Sequence, residues 1–486
     1  MSDAEIAYLP ARRLSERIRT KQLGSLEATD LFIRRIEAFD ADINAVVIRD
    51  FDRAREDARE RDRRVLKGDA LGPLHGLPMT IKEQYHRAGL PTTFGYPELA
   101  DNIPTWDSEM AAALQAAGAV IIGKTNVPLG GADFQTYNDL YGTTNNPWDL
   151  ARTPGGSSGG SAAALAAGLT PLEAGSDIAG SIRNPAHFCG VYGHKPTWGI
   201  VSQRGHAAVV KHPMPDLDLV VCGPLARTPE DLALALRIVA GQSIWNSGWR
   251  LDLPAPTKTR LSDFRVAVWP NDDLAPVDDE IADRVRMVGQ ALRDAGAAVS
   301  EVARPDIDPR NSHETYRNLS YSVVFASVPP EEYERNRRDA ERYAPDDRSD
   351  RAVSARSMVL SHADWLRADA RRARLRLRWA EFFREWDILI CPQMAVPAFE
   401  HDHTLPIEER TVLVNGEPQD YWRQAFWSGL VTAPCLPSTV FPTGLSSQGL
   451  PIGLQAVGGA YQDYRTIDFT RLLAEEIGGF QRPPVD

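Results

Sequence analysis

Residues 154–161 read Pro-Gly-Gly-Ser-Ser-Gly-Gly-Ser, and residues 175–183 read Gly-Ser-Asp-Ile-Ala-Gly-Ser-Ile-Arg. Two serines in these stretches, Ser157 and Ser181, lie 24 positions apart. Glycines allow a chain to turn sharply and to pack closely against itself. Because residues 154–200 contain many glycines and little periodic polarity, we predict a tightly constrained centre of the fold there.

The glycine–serine run that ends at Ser161 has three interpretations. A flexible linker has this composition, but the run leads directly into Ala-Ala-Ala-Leu-Ala-Ala-Gly at 162–168, which is typical of a tightly buried helix. A phosphate-binding loop needs a lysine just after its last glycine, and that lysine is missing here. The third interpretation, which we favour, is nucleophilic catalysis.

A full phosphate-loop formula occurs elsewhere, as Gly-Ala-Val-Ile-Ile-Gly-Lys-Thr at residues 118–125. The four residues that should form an open loop of amides are Ala, Val, Ile and Ile, which are typical of a buried strand. Pro128 follows soon afterwards and would break the helix that such a loop requires. We therefore predict a buried strand here and no nucleotide site.

A lysine upstream of the two serines completes a candidate catalytic set. A serine hydroxyl needs a base within hydrogen-bond reach, and a lysine can serve if burial keeps it neutral. Lys82 follows the apolar residues Met79 and Ile81, which favours such burial. We predict that Ser181 attacks the substrate and that Ser157 passes the proton to Lys82.

An oxyanion must also be stabilised, and consecutive backbone amides in a tight turn can do this. Residues 178–181 form such a turn in our prediction, with Gly180 at a positive φ just before the nucleophile. Asp177 and Arg183 flank the turn. We predict that these two side chains hold the turn through an ion pair or hydrogen bonds and have no chemical role.

Composition excludes several classes of protein. The 486 residues include 54 Lys and Arg against 66 Asp and Glu, a net charge of −12, so the chain as a whole would repel nucleic acid. The four cysteines form no C-x-x-C pair, which indicates buried free thiols in a reducing compartment and no zinc or redox dithiol. We find neither a secretory signal nor an apolar run long enough to span a membrane. The sequence therefore predicts a soluble, cytoplasmic protein.

Hydrophobic periodicity predicts an α/β fold with a mixed or parallel sheet. Residues 25–39 have apolar side chains at helical spacing, with Ser25 as a candidate cap. From Leu74 onward, short apolar runs such as 119–122 alternate with alanine-rich helical stretches such as 108–117. No internal repeat or long linker divides the chain. We therefore predict one domain over 1–486 with an inserted cap.

The later part of the chain has a different amino-acid composition. Residues from about 305 to 385 are rich in Arg, Glu and Asp, and 364–386 is predicted as a basic helix. Its arginines could bind an anionic partner, but a solvated helix face is the simpler interpretation. The apolar runs at 386–392 and 454–458 are predicted as buried strands that close the sheet.

The pattern over 154–199, together with 74–83, 145–148 and 449–455, resembles the amidase signature family. The resemblance spans most of the chain, and its match over 154–199 with the lysine in place is specific. It implies a large mixed twisted β-sheet sandwiched between helices, with a helical inserted cap. It also implies a catalytic core segment at 70–200 and a variable substrate-pocket region at 305–425.

The resemblance assigns roles to individual residues. It implies a catalytic triad of Lys82, Ser157 and Ser181, with Ser157 in a cis peptide and Ser181 forming the acyl-enzyme. The oxyanion amides would be those of Ile178, Ala179, Gly180 and Ser181, and the supporting residues Ser158, Asp177 and Arg183. No metal and no organic cofactor belongs to the family.

Two features depart from the family pattern. Most members have a glycine at the position of Ala179, so a methyl group enters the turn while the backbone donor is kept. His187 and His194 are less usual in the segment after the nucleophile. We predict that His187 is packed or hydrogen-bonded and is not a base, because the family mechanism has no role for it.

The predicted function is hydrolysis of a small or medium carboxamide through a serine acyl-enzyme, and the same machinery can cleave anilides, esters or carbamates. Phe134, Tyr137 and Tyr141 could form an aromatic wall of the substrate pocket or be ordinary core aromatics, and both interpretations stay open. The expected partner is a small-molecule amide, with neither nucleic acid nor membrane. The chain could also form a homodimer.

Two rival functions remain. The first is the glutaminase subunit of a tRNA-dependent amidotransferase, which shares the signature but must dock a partner and pass ammonia onward. We find no pattern in the arginine-rich region or in the tail at 481–486 that indicates such docking. The second is a non-catalytic binding protein with the same fold, which would be expected to lack one residue of the triad.

Overall fold

The computed structural model describes residues 1–485 except 210, 213, 242, 247, 249 and 327. The α-helices in this part of the chain are α1 (Asp3–Ala7), α2 (Ala11–Arg19), α3 (Ser25–Ile43), α4 (Phe51–Lys67), α5 (Glu109–Ala116), α6 (Gly159–Ala166), α7 (Arg183–Cys189), α8 (Pro229–Val239), α9 (Asp279–Asp294), α10 (Pro309–Val324), α11 (Pro330–Ala340), α12 (Asp350–Met358), α13 (His362–Glu385), α14 (Ala425–Thr432) and α15 (Asp463–Ile477). Among the described residues, each helix is too short or too polar to span a bilayer.

The β-strands are β1 (Val46–Arg49), β2 (Pro78–Lys82), β3 (Val120–Thr125), β4 (Tyr137–Asn138), β5 (Gly142–Thr143), β6 (Leu172–Asp177), β7 (Tyr192–Lys195), β8 (Val221–Ala226), β9 (Arg265–Val268), β10 (Ala298–Ser300), β11 (Ile388–Pro392), β12 (Thr411–Val414), β13 (Glu417–Asp420), β14 (Ser438–Leu445) and β15 (Pro451–Val457). They form an eight-stranded sheet, a three-stranded sheet and two hairpins.

The eight-stranded sheet has the order β10-β9-β11-β15-β14-β7-β8-β6. Strand β9 pairs in parallel with β10 and β11, and the remaining neighbours pair antiparallel. Helices α7, α8, α9 and α15 pack against its strands. The predicted α/β class with a large mixed sheet is therefore confirmed.

The N-terminal half follows the predicted pattern with one correction. Helix α3 covers the predicted 25–39, but Gly24 is the residue before its first turn, and the Ser25 hydroxyl donates to the carbonyl oxygen of Gly76 at 3.0 Å. Ser25 is therefore not the helix cap, because its side chain fixes α3 to the loop before β2. Residues 120–125, the last six residues of the phosphate-loop formula at 118–125, form the fully buried strand β3.

Helices α10 to α13 fill the segment between β10 and β11, where the sequence predicts a helical cap. Helix α10 packs against α12, α13 and α14. The predicted basic helix is α13, which buries Leu375 and Trp379 and carries exposed arginines in ion pairs with neighbouring carboxylates, such as Arg378 with Glu381. The division into one domain with an inserted cap stays a prediction.

The fold brings two sheet edges together at one place. Strand β2 is the last strand of the three-stranded sheet, whose order is β1-β3-β2, and β6 is the last strand of the eight-stranded sheet. The amide of Thr80 in β2 donates to Thr170 Oγ1 just before β6, and Tyr85 Oη donates to the carbonyl oxygen of Gly175 in β6. Lys82 and Asp177, the last residues of these strands, therefore lie at the same end of the junction.

Candidate active site

Lys82 is the last residue of β2, and its side chain is fully buried. Its Nζ donates to Ser157 Oγ at 2.7 Å and to Ser176 Oγ at 2.9 Å. Burial disfavours the ammonium form and lowers the pKa of Lys82 to about 7. A large fraction of this lysine is therefore neutral near pH 7 and can accept a proton from Ser157.

The turn around Ser157 is built from glycines that have no room for a side chain. A Cβ on Gly156 would lie 2.6 Å from the carbonyl oxygen of Gln135, so only glycine fits there. The Gly156–Ser157 peptide bond is cis, as the resemblance implies. The amide of Ser158 donates to the carbonyl oxygen of Ser181 at 3.0 Å, which ties this turn to the second serine.

Ser181 follows β6 in a turn that needs glycine at Gly180. The φ of Gly180 is 105°, as predicted, and a Cβ there would lie 2.5 Å from Ser428 Oγ. Ser181 is 8% exposed, and its Oγ has no hydrogen bond to any described residue. The structure therefore places Lys82 Nζ within hydrogen-bond distance of Ser157 Oγ, whereas no hydrogen bond joins the side chains of Ser157 and Ser181 among the described residues.

The backbone amides of the turn differ in what they can bind. The amide of Gly180 donates to Asp177 Oδ1 at 2.9 Å, so this predicted oxyanion donor is already engaged. The amides of Ile178, Ala179 and Ser181 have no acceptor within the described part of the chain. Ile178 and Ala179 are partly exposed and Ser181 is buried, and amides without an acceptor in such a turn can bind an anionic oxygen.

Asp177 and Arg183 form a buried ion pair beside this turn. Both side chains are fully buried and form a bidentate pair, with Arg183 Nη2 2.9 Å from Oδ1 and Nε 3.0 Å from Oδ2. Burial alone would raise the pKa of Asp177, but the charge and hydrogen bonds of Arg183 lower it to about 2. Asp177 also accepts from the amides of Gly180 and Ile182, so the ion pair fixes the direction of the turn.

We expect Arg183→Met to lower the free energy of unfolding by about 3–5 kcal/mol, because it leaves the carboxylate of Asp177 buried and unpaired. Urea titration measures this loss. The matched control is Arg348→Met, which breaks a partly exposed pair with Glu314 and is expected to change the free energy by less than about 0.5 kcal/mol. Equal effects of the two variants would contradict the structural role of the buried pair.

Two residues that the sequence analysis missed complete the surroundings of Lys82. Ser176 lies beside Asp177 near the end of β6, and alternation along the strand places it on the other face. The imidazole of His206 lies 2.9 Å from Ser176 Oγ through Nε2. His206 belongs to no motif, so no sequence signal marked it.

The walls of the site come from segments far apart in the chain. Main-chain atoms of Asp133 and Gln135 pack against Gly156 in the turn that carries Ser157. Asp133 is buried there with Arg410, whose Nη1 donates to its carboxylate at 2.8 Å. From the other side, Tyr316 Oη in α10 donates to the carbonyl oxygen of Ile178 at 3.2 Å. Parts of the predicted variable region 305–425 therefore adjoin the turns that carry Ser157 and Ser181.

The three predicted pocket aromatics have different surroundings. Phe134 is buried, and its ring packs on those of Tyr421 and Trp422 at 5.5 and 5.1 Å. Tyr137 is partly buried, stacks on His403 at 3.7 Å and accepts a hydrogen bond from Arg410. The hydroxyl of Tyr141, also partly buried, accepts from Thr93 at 3.4 Å. The surroundings of Phe134 favour core packing, and the two tyrosines keep the pocket interpretation open.

The remaining polar groups have structural surroundings. His187 is buried between main-chain groups of Gly453 and Val396 at 2.8 and 3.0 Å, and burial lowers its pKa to about 4. This agrees with the prediction that it is not the base. Among the described residues, no three His, Cys, Asp or Glu side chains are grouped in a way that could hold a metal ion.

Comparison of the chain with known proteins identifies its family. A family model described as Amidase matches residues 27–467. The chain is 33% identical to a glutamyl-tRNA(Gln) amidotransferase subunit of Moorella thermoacetica, over 94% of each chain. It is also 33% identical to an acylamidase of Rhodococcus erythropolis, over 94% of this chain and 92% of the relative.

Solved structures agree with the fold. A chain of a vestigial protein complex, linked to the evolutionary origins of an s-triazine catabolic enzyme, is 29% identical with a TM-score of 0.80, over 98% of this chain and all of that one. A bacterial aryl acylamidase of the amidase signature family superposes with a TM-score of 0.81 at 24% identity, over 97% of this chain and 96% of that one. The chain therefore belongs to the amidase signature family, whose enzymes hydrolyse amide C–N bonds.

Proposed function

We propose that this enzyme hydrolyses a small or medium carboxamide through an acyl-enzyme on Ser181, with Ser157 as proton relay and Lys82 as general base. One observation carries the proposal. A fully buried lysine with a pKa lowered to about 7 lies 2.7 Å from Ser157 Oγ, in a turn bonded to the backbone of Ser181. A lysine that only paired with a carboxylate would keep its charge and could not act as a base.

The steps follow from this arrangement. Ser181 Oγ attacks the carbonyl carbon while its proton passes to Ser157 Oγ and the proton of Ser157 passes to Lys82 Nζ. The amides of Ile178, Ala179 and Ser181 stabilise the oxyanion. Lys82 then returns the proton through Ser157 to the leaving nitrogen. Water attacks the acyl carbon by the same relay and frees Ser181.

This mechanism predicts a pH dependence of kcat/KM with its acidic limb near pH 7. Only neutral Lys82 accepts the proton, so the active fraction rises with pH through the pKa of about 7 and is nearly complete one unit above it. Below that pKa, kcat/KM falls about tenfold per unit. The measurement is kcat/KM between pH 5 and 9, and a rate independent of pH across this range would contradict a lysine base.

Two kinds of observation bear on the substrate class. The acylamidase relative and the partly buried Tyr137 and Tyr141 favour an amide with an apolar or aromatic portion. The second candidate is glutamine, because several similar relatives are glutamyl-tRNA(Gln) amidotransferase subunits. Against it, the two buried arginines beside the site, Arg183 and Arg410, are already paired with carboxylates. Neither has a free charge to bind the carboxylate of glutamine.

A substrate panel on the chain purified alone separates the two candidates. It contains glutamine, an aryl anilide, a simple carboxamide, an ester and a carbamate, each tested on the wild type and on Ser181→Ala. We expect kcat/KM for the anilide to exceed that for glutamine by about tenfold or more. The reason is that the charged groups of bound glutamine would have no partners in the site. Glutamine as the best substrate would overturn this choice.

We propose that the protein works in a reducing compartment such as the cytoplasm, because the described cysteines are all free and buried. Light scattering on the purified protein measures whether it forms a homodimer.

A further inference from the structure

His206 is held beside Lys82 by three kinds of contact. Its Nε2 lies 2.9 Å from Ser176 Oγ, which in turn accepts from Lys82 Nζ at 2.9 Å. Its ring packs edge-on to Tyr85 at 5.1 Å. Its main chain pairs with that of Tyr85 three residues after Lys82, and the neighbouring Gly205 accepts from the amide of His86 at 2.8 Å. The imidazole is therefore fixed against the segment that follows the catalytic lysine.

One assignment of the hydrogen atoms agrees with the donor direction of the contact between Lys82 and Ser176. Ser176 Oγ accepts from Lys82 Nζ at 2.9 Å, so its one hydroxyl hydrogen is free for its other neighbour, Nε2 of His206 at 2.9 Å. We assign Nε2 as the acceptor of that hydrogen, which places the ring hydrogen on Nδ1.

The consequence falls on the lone pair of Lys82. A neutral lysine has two N–H hydrogens and one lone pair. If Ser176 could donate to Lys82, it would occupy the lone pair that must receive the proton of Ser157. Because Ser176 donates to His206, the lysine directs an N–H at Ser176 and keeps its lone pair for Ser157.

We propose that His206 is a positioning residue that acts through Ser176 to direct the lone pair of Lys82 at Ser157. This inference rests on the proposed function, because it assigns His206 a part in the same proton relay. It applies to the acylation step and to the deacylation step alike, since both use the same base.

The surroundings of His206 keep its ring neutral. Burial and the charge of Lys82 lower its pKa to about 3, with a smaller contribution from His86. The ring of Phe94 covers it at 5.9 Å, and that of Tyr85 covers it from another direction. An imidazole in this setting stays an acceptor at Nε2 through the pH range in which the enzyme would work.

The test uses a fluorophosphonate reagent, so it does not depend on knowing the substrate. Ser181 Oγ attacks phosphorus, fluoride leaves, and the proton passes to Lys82, so the labelling rate reports activation of the serine. His206→Phe keeps a ring between Tyr85 and Phe94 but removes the acceptor, and we expect labelling about tenfold slower. His206→Gln returns an acceptor near the position of Nε2, and we expect a rate within about threefold of the wild type.

A double variant separates positioning from packing. Ser176→Ala is expected to slow labelling by about the same tenfold, and adding His206→Phe to it should change the rate by less than about twofold, because the two residues act as one unit. A packing role would instead give additive losses and no rescue by glutamine. The Tm of every variant is recorded alongside. If His206→Phe fails to fold, Ser176→Ala still decides, since a wild-type rate in that variant would overturn the inference.

Failure of this inference is distinguishable from failure of the proposed function. Labelling of the wild type at Ser181 with an unchanged rate in His206→Phe would overturn the role of His206 alone. Absence of labelling at Ser181 in the wild type would overturn the proposed function, and the positioning role with it.

Discussion

Ser181→Ala is expected to lower kcat for anilide hydrolysis by about 10⁴-fold or more, because it removes the atom that forms the covalent bond. The oxyanion amides and the walls of the site stay in place, so weak residual hydrolysis and a nearly unchanged KM are expected. The Ser181 hydroxyl has no hydrogen bond to any described residue, so the substitution should leave the free energy of unfolding within about 0.5 kcal/mol of the wild type.

A matched control tests whether the loss is specific to this serine. Ser312 in α10 is also buried, and its Oγ has no partner among the described residues. Ser312→Ala is therefore expected to keep the wild-type kcat within about twofold. Anilide hydrolysis that persists in Ser181→Ala at more than a tenth of the wild-type rate would contradict the assignment of the nucleophile.

Lys82→Met is expected to lower kcat by about 10³-fold, because the general base is lost while the volume of the side chain is nearly kept. Ser157 would then have no group to accept its proton. The loss should appear in kcat more than in KM, since Lys82 is buried behind Ser157 and has no predicted contact with substrate.

The chain offers a control lysine with similar burial and a different position. Lys124 is fully buried in β3, and burial lowers its pKa to about 8, but its Nζ donates to Pro91 and Thr92. Lys124→Met should reduce stability while kcat of the folded protein stays within about threefold. Full activity in Lys82→Met together with loss of activity in His187→Ala would show that the base was assigned wrongly.

Much of the fold could be predicted because local patterns and burial agree. The apolar residues that rule out a phosphate loop at 118–125 are the residues of a buried strand, and α5, α13 and β15 lie within a few residues of their predicted positions. The error at Ser25 has a physical reason. A serine at a helix start is often a cap, but the hydroxyl of Ser25 donates a hydrogen bond to the carbonyl oxygen of Gly76 instead.

The site was only partly predictable. Lys82, Ser157 and the turn at 178–181 lie in specific motifs, and the need for glycine at Gly156 and Gly180 follows from close packing. The engagement of the Gly180 amide by Asp177 could not be predicted, because it depends on the orientation of one carboxylate. His206 and Arg410 reach the site through contacts between distant segments, and neither residue lies in a motif.

The most direct test of the account is to locate the covalent intermediate. An aryl carbamate forms a carbamoyl-enzyme that water removes slowly, so denaturing mass spectrometry can detect the adduct and peptide mapping can locate it. We predict one carbamoyl group per chain, on Ser181, and none on Ser181→Ala. A carbamoyl group on any other residue, or release of the phenol by an enzyme that is never modified, would contradict the acyl-enzyme mechanism.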